Sequence, residues 1–434
     1  MKPYLIKTIL LLVVVSLLIA AVGIYIFNMP ELVRSEINEN GELILYYSNG
    51  KTENLGNVEG KQGDTGAVGK DGASGSDGQV TIVTDDSSIP QATAKGLQSA
   101  VSITCTFQSK NYWGQTTTST SAGSGVIYKC DKSEGEAFII TNYHVVYNES
   151  SNSVSENIKV YVYGAEYNTL ELPATYVGGS PTNDIAVLYV SDSGILRDSA
   201  CVAATIADSE ELSIGSTAIA VGNPEGMGIS ASCGVVSVDS EYITMSSVNG
   251  AGQVKFRVMR IDTAVNSGNS GGGLYNASGE LIGIVNAKIS SSNVENIAYA
   301  IPSNLATTVA DNIIRNCYQK TNKSALKATL GITVAISESK AVFDPTLGIM
   351  RIKETVRVSE ISSSSGLVSS VLKEADILLG VSVGDYELEI TRMYHALDIA
   401  FFVKAGDELT FKILRDGIEQ TVSVTVSQNH LMSC

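Results

Sequence analysis

Apolar residues along this chain fall into three patterns, and each predicts a different element. The first is continuous. From Thr8 to Phe27 run 20 uncharged residues, mostly Leu, Val and Ile. As a helix rising about 1.5 Å per residue, this run spans about 30 Å, the thickness of a bilayer's hydrocarbon core. Lys2 and Lys7 precede it, whereas Glu31 and Glu36 follow with only Arg34 between them. The charge bias predicts a transmembrane anchor at 8–27, a cytoplasmic tail at 1–7 and an extracytoplasmic remainder. A cleaved signal peptide fits less well, because the apolar run is too long for one.

The second pattern is alternation, the mark of half-buried strands. It recurs in Ile158–Tyr163, in Val235–Val238 and, past the turn Arg415-Asp416-Gly417, in Gln420–Val426. Ala137–Ile140 and Ile185–Val190 read as more fully buried strands. Gly41–Lys51 ends in Asn49-Gly50, a hairpin signal, so residues 28–58 are expected to hold a small juxtamembrane β element. Gln108–Ala122, rich in Thr and Ser, is expected as a long exposed loop. The third pattern has helical spacing: Leu305, Val309 and Ile313 follow Ser303, which reads as an N-cap.

Glycine adds a fourth regularity, recurring at 60, 63, 66, 69, 72, 75 and 78. A strict period of three is the collagen signature, because only glycine fits at a triple-helix axis. No proline lies within it, so residues 59–80 read as a marginal collagen-like stalk or a flexible spacer. A polar linker is expected at 81–95.

Composition narrows the function classes. With 44% hydrophobic residues, 17% charged residues and a net charge of −16, the chain is globular and unsuited to nucleic acid or anionic lipid as its main partner. The six cysteines show no CxxC and no zinc-like spacing, so no metal site is expected. Export would permit disulfides, and buried free thiols are an equal alternative. Cys105 and Cys130, on neighbouring strand-like runs, are the first pair to test.

Candidate chemistry centres on Asn266-Ser267-Gly268-Asn269-Ser270-Gly271-Gly272-Gly273. Small residues around Ser270 leave its hydroxyl clear and let N–H groups converge on an oxyanion. Such a serine needs a histidine base oriented by a carboxylate. Of the three histidines, His144, His395 and His430, only His144 ends a strand-like run ahead of an acid that opens another strand, Asp184. The order His144, Asp184, Ser270 is that of chymotrypsin-type proteases.

These blocks carry a resemblance. Thr141-Asn142-Tyr143-His144-Val145-Val146, Asn183-Asp184-Ile185-Ala186-Val187-Leu188 and Asp262 to Gly272 are similar to three signature blocks of the HtrA/DegP serine proteases. Gly123–Ile127, Val221–Pro224 and Ala298–Ser303 add to it, and the likeness covers roughly 96–428. Ser267 and Gly273 depart from it, standing where the family usually has proline. The resemblance implies a mainly β fold: a chymotrypsin-like double β-barrel at 96–318, then an α+β PDZ-like domain at 322–428. It implies an endopeptidase with Ser270 as nucleophile, His144 as base, Asp184 as orienting acid, and an oxyanion hole from the Gly268 and Ser270 N–H groups. Ala264, Val285, Asn286 and Ala287 would line a pocket for a small apolar residue. Leu330-Gly331-Ile332 would bind peptide C-termini. Unfolded proteins as substrates, no cofactor, and a homotrimer are further implications. The competing class is an inactive surface scaffold that binds peptides through its PDZ-like domain.

Overall fold

The computed structural model describes residues 32–38, 40, 42–57, 88–110, 116–164, 171–287 and 297–434. The expected anchor at 8–27 and the Gly-x-y segment at 59–80 lie outside the described residues. Among the described ones, no helix is long and apolar enough to cross a membrane.

Strands β1 (Leu32–Ile37), β2 (Glu42–Tyr47) and β3 (Thr52–Asn57) form an antiparallel three-stranded sheet. The Asn49-Gly50 turn joins β2 to β3, with Gly50 at φ 80°. This sheet belongs to one compact unit, and the chain from Val83 onward forms another.

The second unit opens on helix α1 (Ser88–Ser99), which corrects the expectation of a linker through residue 95. Pro90 sits in the first turn, where its missing N–H has no helical acceptor to lose. Ala92, Gly96 and Ser99 are buried, and Ser99 Oγ bonds Tyr275 Oη at 2.7 Å.

The first barrel contains β4 (Ala100–Lys110), β5 (Thr116–Asp131) and β6 (Glu136–Thr141). A single helical turn, α2 (Tyr143–Val146), and a ribbon of β7 (Tyr147–Asn148) and β8 (Ser153–Val154) follow. Then β9 (Asn157–Val162), β10 (Leu172–Ser180) and β11 (Ile185–Val190) close the barrel in the order β10-β11-β6-β5-β4-β9. Alternation does what it predicts in β9, where Ile158, Val160 and Val162 point inward. Within the Thr/Ser-rich stretch, residues 108–110 and 116–122 pair as strands, in a register that runs from Ala100↔Val126 to Lys110↔Thr116. β-Branched threonines suit an exposed ladder even where neither face is apolar.

Helix α3 (Gly194–Asp198) and an irregular connection lead to the second barrel: β12 (Thr217–Gly222), β13 (Ser230–Ser246), β14 (Gln253–Ile261), β15 (Gly273–Tyr275), β16 (Leu281–Asn286) and β17 (Ala298–Pro302). It closes as β12-β13-β14-β17-β16-β15. Helix α4 (Ser303–Cys317) then buries Leu305, Val309 and Ile313 in an apolar cluster shared with Val187 of the first barrel and Ile284 of the second. At roughly 1.5–3 kcal/mol per buried side chain of this size, the cluster fixes one barrel against the other. Ser303 is the first helical residue, not the cap; Pro302 occupies that position, and the Ser303 hydroxyl donates to Ala207 O at 2.9 Å.

The C-terminal part has its own core around Val356, Leu378, Ile399 and Phe411. Its strands are β18 (Leu326–Ala328), β19 (Thr333–Asp344), β20 (Ile349–Glu360), β21 (Ile377–Val383) and β22 (Tyr386–Glu389); after helix α5 (Met393–Phe402) come β23 (Glu408–Arg415), β24 (Ile418–Thr425) and β25 (Leu431–Ser433). The main sheet runs β19-β20-β21-β23-β24 with β22 against β21, and β25 returns to pair β18.

A buried ionic cluster joins this part to the barrels. Arg257 on β14 is 5% exposed and reaches Glu210 at 2.8 Å and Asp398 of α5. Its guanidinium lies 3.4 Å from the Tyr394 ring centroid. Tyr394 Oη donates to Glu210 at 2.5 Å, His395 Nε2 lies 3.2 Å from the same carboxylate, and Arg392 donates to Asp239 at 2.7 Å.

Candidate active site

The acid is placed first, because the rest hangs on it. Asp184 sits just before β11, 1% exposed and at φ 50°, a left-handed conformation uncommon outside glycine. The bend turns its carboxylate back toward α2. Oδ1 accepts the His144 N–H at 2.9 Å, and Oδ2 lies 2.6 Å from His144 Nδ1. Asn286 at the end of β16 donates to Oδ2 at 2.7 Å. The Asp184 carbonyl accepts from Asn142 Nδ2 at 2.9 Å and Tyr143 N at 3.2 Å. Carboxylate and backbone are therefore both held from the segment that carries His144.

His144 lies in the helical turn α2, three residues past the end of β6, and keeps 17% of its side chain exposed. With Nδ1 committed to Asp184, Nε2 is the nitrogen left to exchange a proton with a reacting group.

Ser270 is 5% exposed, and its loop is held from both barrels. From the first, Ser124 N donates to Ser270 O at 2.8 Å and Ser124 Oγ donates to Gly268 O at 2.7 Å. From the second, Asn223 N donates to Ser124 Oγ at 2.8 Å, and the Gly271 and Val285 N–H groups bond Val285 O and Gly272 O at 2.9 Å. Gly271 has φ 83°, and a Cβ there would stand 2.3 Å from Ser124 O, so glycine is required. Gly268 has φ 95°. Asn269 N turns back to Asn266 O at 3.0 Å, while the N–H groups of Gly268 and Ser270 donate to no acceptor among the described residues. Those are the two groups expected to form the oxyanion hole.

The Ser270 hydroxyl accepts from Ala287 N at 3.2 Å; among the described residues it makes no hydrogen bond with His144. Of the residues expected on the pocket wall, Val285 is fully buried and pairs with the nucleophile loop. Asn286 faces Asp184, and Ala287 touches the serine. Ala264 is exposed, with its carbonyl accepting from Ser232 Oγ at 2.7 Å.

Two contributors hold positions that the sequence did not assign to them. Ser124 lay within a recognised block, but its clamp on the Ser270 loop spans over 140 positions. Asn286 was placed in the pocket, and nothing local to it announces a carboxylate 102 positions away.

In the C-terminal part, Gly331 has φ 79°, and a Cβ there would lie 2.4 Å from Gly366 Cα. Its carbonyl accepts from Ser362 and Ser363 N–H groups at 3.0 and 3.1 Å. The N–H groups of Leu330, Gly331 and Ile332 find no acceptor among the described residues, at the head of edge strand β19. The same residues show no cluster of metal-ligating side chains.

A profile for the trypsin-like peptidase domain matches residues 123–284. The serine protease Do-like HtrA of Lactococcus lactis subsp. cremoris is 32% identical over 71% of this chain and 71% of its own length. The chain belongs to the HtrA family of serine proteases. Its counterpart in Bacillus subtilis is 33% identical over 72% of this chain, and the match spans 64% of that relative's length. The periplasmic endoprotease DegP of Escherichia coli K12 is 28% identical over 74% of this chain and 60% of DegP. A solved HtrA-type protease, AlgW with a tripeptide, shares the fold at a TM-score of 0.50 and 23% identity, covering 80% of this chain and 97% of AlgW.

Proposed function

We propose that this HtrA-family chain is a membrane-anchored, extracytoplasmic serine endopeptidase that cleaves unfolded proteins and peptides. Ser270 Oγ attacks the scissile carbonyl. His144 Nε2 takes the hydroxyl proton and delivers it to the leaving amine, while Asp184 fixes the imidazole tautomer and stabilises its charged form. The Gly268 and Ser270 N–H groups receive the oxyanion. The observation that carries the reading is the Asp184 carboxylate, held by two bonds from His144 and one from Asn286. No isolated surface histidine needs such an arrangement.

Before turnover, the Ser270 hydroxyl must leave the Ala287 N–H and come within hydrogen-bond reach of His144 Nε2, a change that substrate binding can drive. The absence of a carboxylate at Ala264 supports a small apolar residue before the scissile bond. The open N–H groups at Leu330-Gly331-Ile332 beside an edge strand support capture of peptide C-termini by strand addition. Residues 8–27 supply the membrane anchor, and a homotrimer is the proposed assembly.

The second reading, an inactive peptide-binding scaffold, is favoured by one observation, the Ser270–Ala287 hydrogen bond in place of one to His144. An active-site-directed fluorophosphonate separates the two. Labelling of wild type but not Ser270→Ala is the expected result. No labelling of folded wild type, with or without a peptide substrate, would favour the scaffold.

A further inference from the structure

Two of the six cysteines, Cys130 and Cys201, pack in one apolar cluster. The connection after α3 runs beside β5: Ala204 N donates to Ile127 O at 2.8 Å, and Lys132 Nζ donates to Ser199 O. Between these contacts lie Cys130 on β5, just past the bulge between Ile127 and Lys129, and Cys201 on the connection. The Cys130 thiol is pushed up first by burial and then by the neighbouring Cys201. A disulfide between them needs Cβ atoms about 3.5–4.5 Å apart. Cys105, expected as the first partner to test for Cys130, sits on β4 opposite Ser121 and Ile158. It is fully buried, and burial pushes its thiol up to about 12.

We propose that Cys130 and Cys201 are a disulfide site, stapling β5 of the first barrel to the connection that leads into the second. The inference rests on the proposed extracytoplasmic placement, where thiol oxidants are present. The oxidant is a small-molecule disulfide or a dithiol–disulfide oxidoreductase. Half-buried Cys130 is the entry point, and Cys201, 5% exposed, is the resolving thiol. The Cys130 thiolate attacks one oxidant sulfur, breaking the oxidant's S–S bond and releasing one thiolate. The Cys201 thiolate then attacks the Cys130 sulfur and expels the second. The oxidant gains the two electrons the cysteines lose, and their two protons end on its thiols. The closed loop holds both His144 and Asp184, so the staple braces the barrel that supplies two of the three site residues.

The test is thiol mapping on the full chain equilibrated with oxidised glutathione, alkylated, digested and read by mass spectrometry. The expected result is a linked peptide pair containing Cys130 and Cys201, with Cys105 still alkylatable on unfolding. A reductant-dependent fall in Tm on the order of 5–10 °C should accompany it and be absent in Cys130→Ser and Cys201→Ser. Free alkylation of both thiols in the oxidised, folded protein would overturn the proposal. So would a glutathione adduct persisting on Cys130, or a link from Cys130 to another cysteine. Thiol mapping does not depend on turnover, so its failure is distinguishable from failure of the protease reading.

Discussion

A carboxylate with three donors has little freedom to turn, and at Asp184 one of them comes from the other barrel. Asn286 Nδ2 reaches Oδ2 at 2.7 Å beside the His144 bond. Hydrogen bonds to charged groups contribute about 1.5–3 kcal/mol, so Asn286→Ala should lower kcat about 10- to 100-fold with KM nearly unchanged. Steady-state kinetics on a peptide substrate read this split, and an unaltered kcat would remove Asn286 from the positioning of Asp184. Legibility differs sharply among these residues. His144, Asp184 and Ser270 could be picked out because nucleophilic catalysis restricts residue type and order, and histidine is scarce in this chain. The roles of Asn286 and Ser124 depend on closure of two barrels around one cleft, which no local pattern encodes.

At the scale of elements, strands were readable wherever one face is buried, as in β9, and helix α4 showed through its apolar spacing. Two readings failed for identifiable reasons. Pro90 argued for a linker although a first-turn proline is tolerated, and polar threonines argued for a loop although they pair as strands. The stretch Tyr386–His395 is where the C-terminal part meets the barrels: Tyr394 and His395 both contact Glu210. Burial works against the Glu210 charge, but the bond to His395 and the Arg257 charge prevail and hold its pKa at about 2. A depressed carboxylate stabilises the fold above its unfolded pKa, near 4.3, and loses that contribution as pH falls through the folded value. The thermal midpoint should therefore drop as pH falls from about 4.5 to 2. In Glu210→Gln the midpoint should be lower at neutral pH and its acid slope shallower. Equal slopes in both proteins would contradict a coupling role for Glu210.

For the whole molecule, fold class and family were legible because the signature blocks are spread across both barrels. Cysteine pairing and the contact between the two parts were not, since each joins segments remote in sequence. The proposed trimer would suit a Gly-x-y stalk, which requires three chains around one axis. Tethering by such a trimer would raise the local concentration of the three segments and so favour a marginal triple helix. Sedimentation and circular dichroism of residues 31–434 and 81–434 should show two trimers, with a triple-helix signal on cooling only in the longer. A monomeric shorter chain would contradict protease-driven assembly, and no added signal in the longer would make the stalk a flexible spacer. The central claim, that His144, Asp184 and Ser270 work as one unit, is tested most directly by turnover of an unfolded protein substrate. The comparison is wild type against Ser270→Ala, His144→Ala and the double variant. Single losses of roughly 10⁴- to 10⁶-fold with no further loss in the double variant are predicted. Near wild-type turnover in His144→Ala would contradict the account.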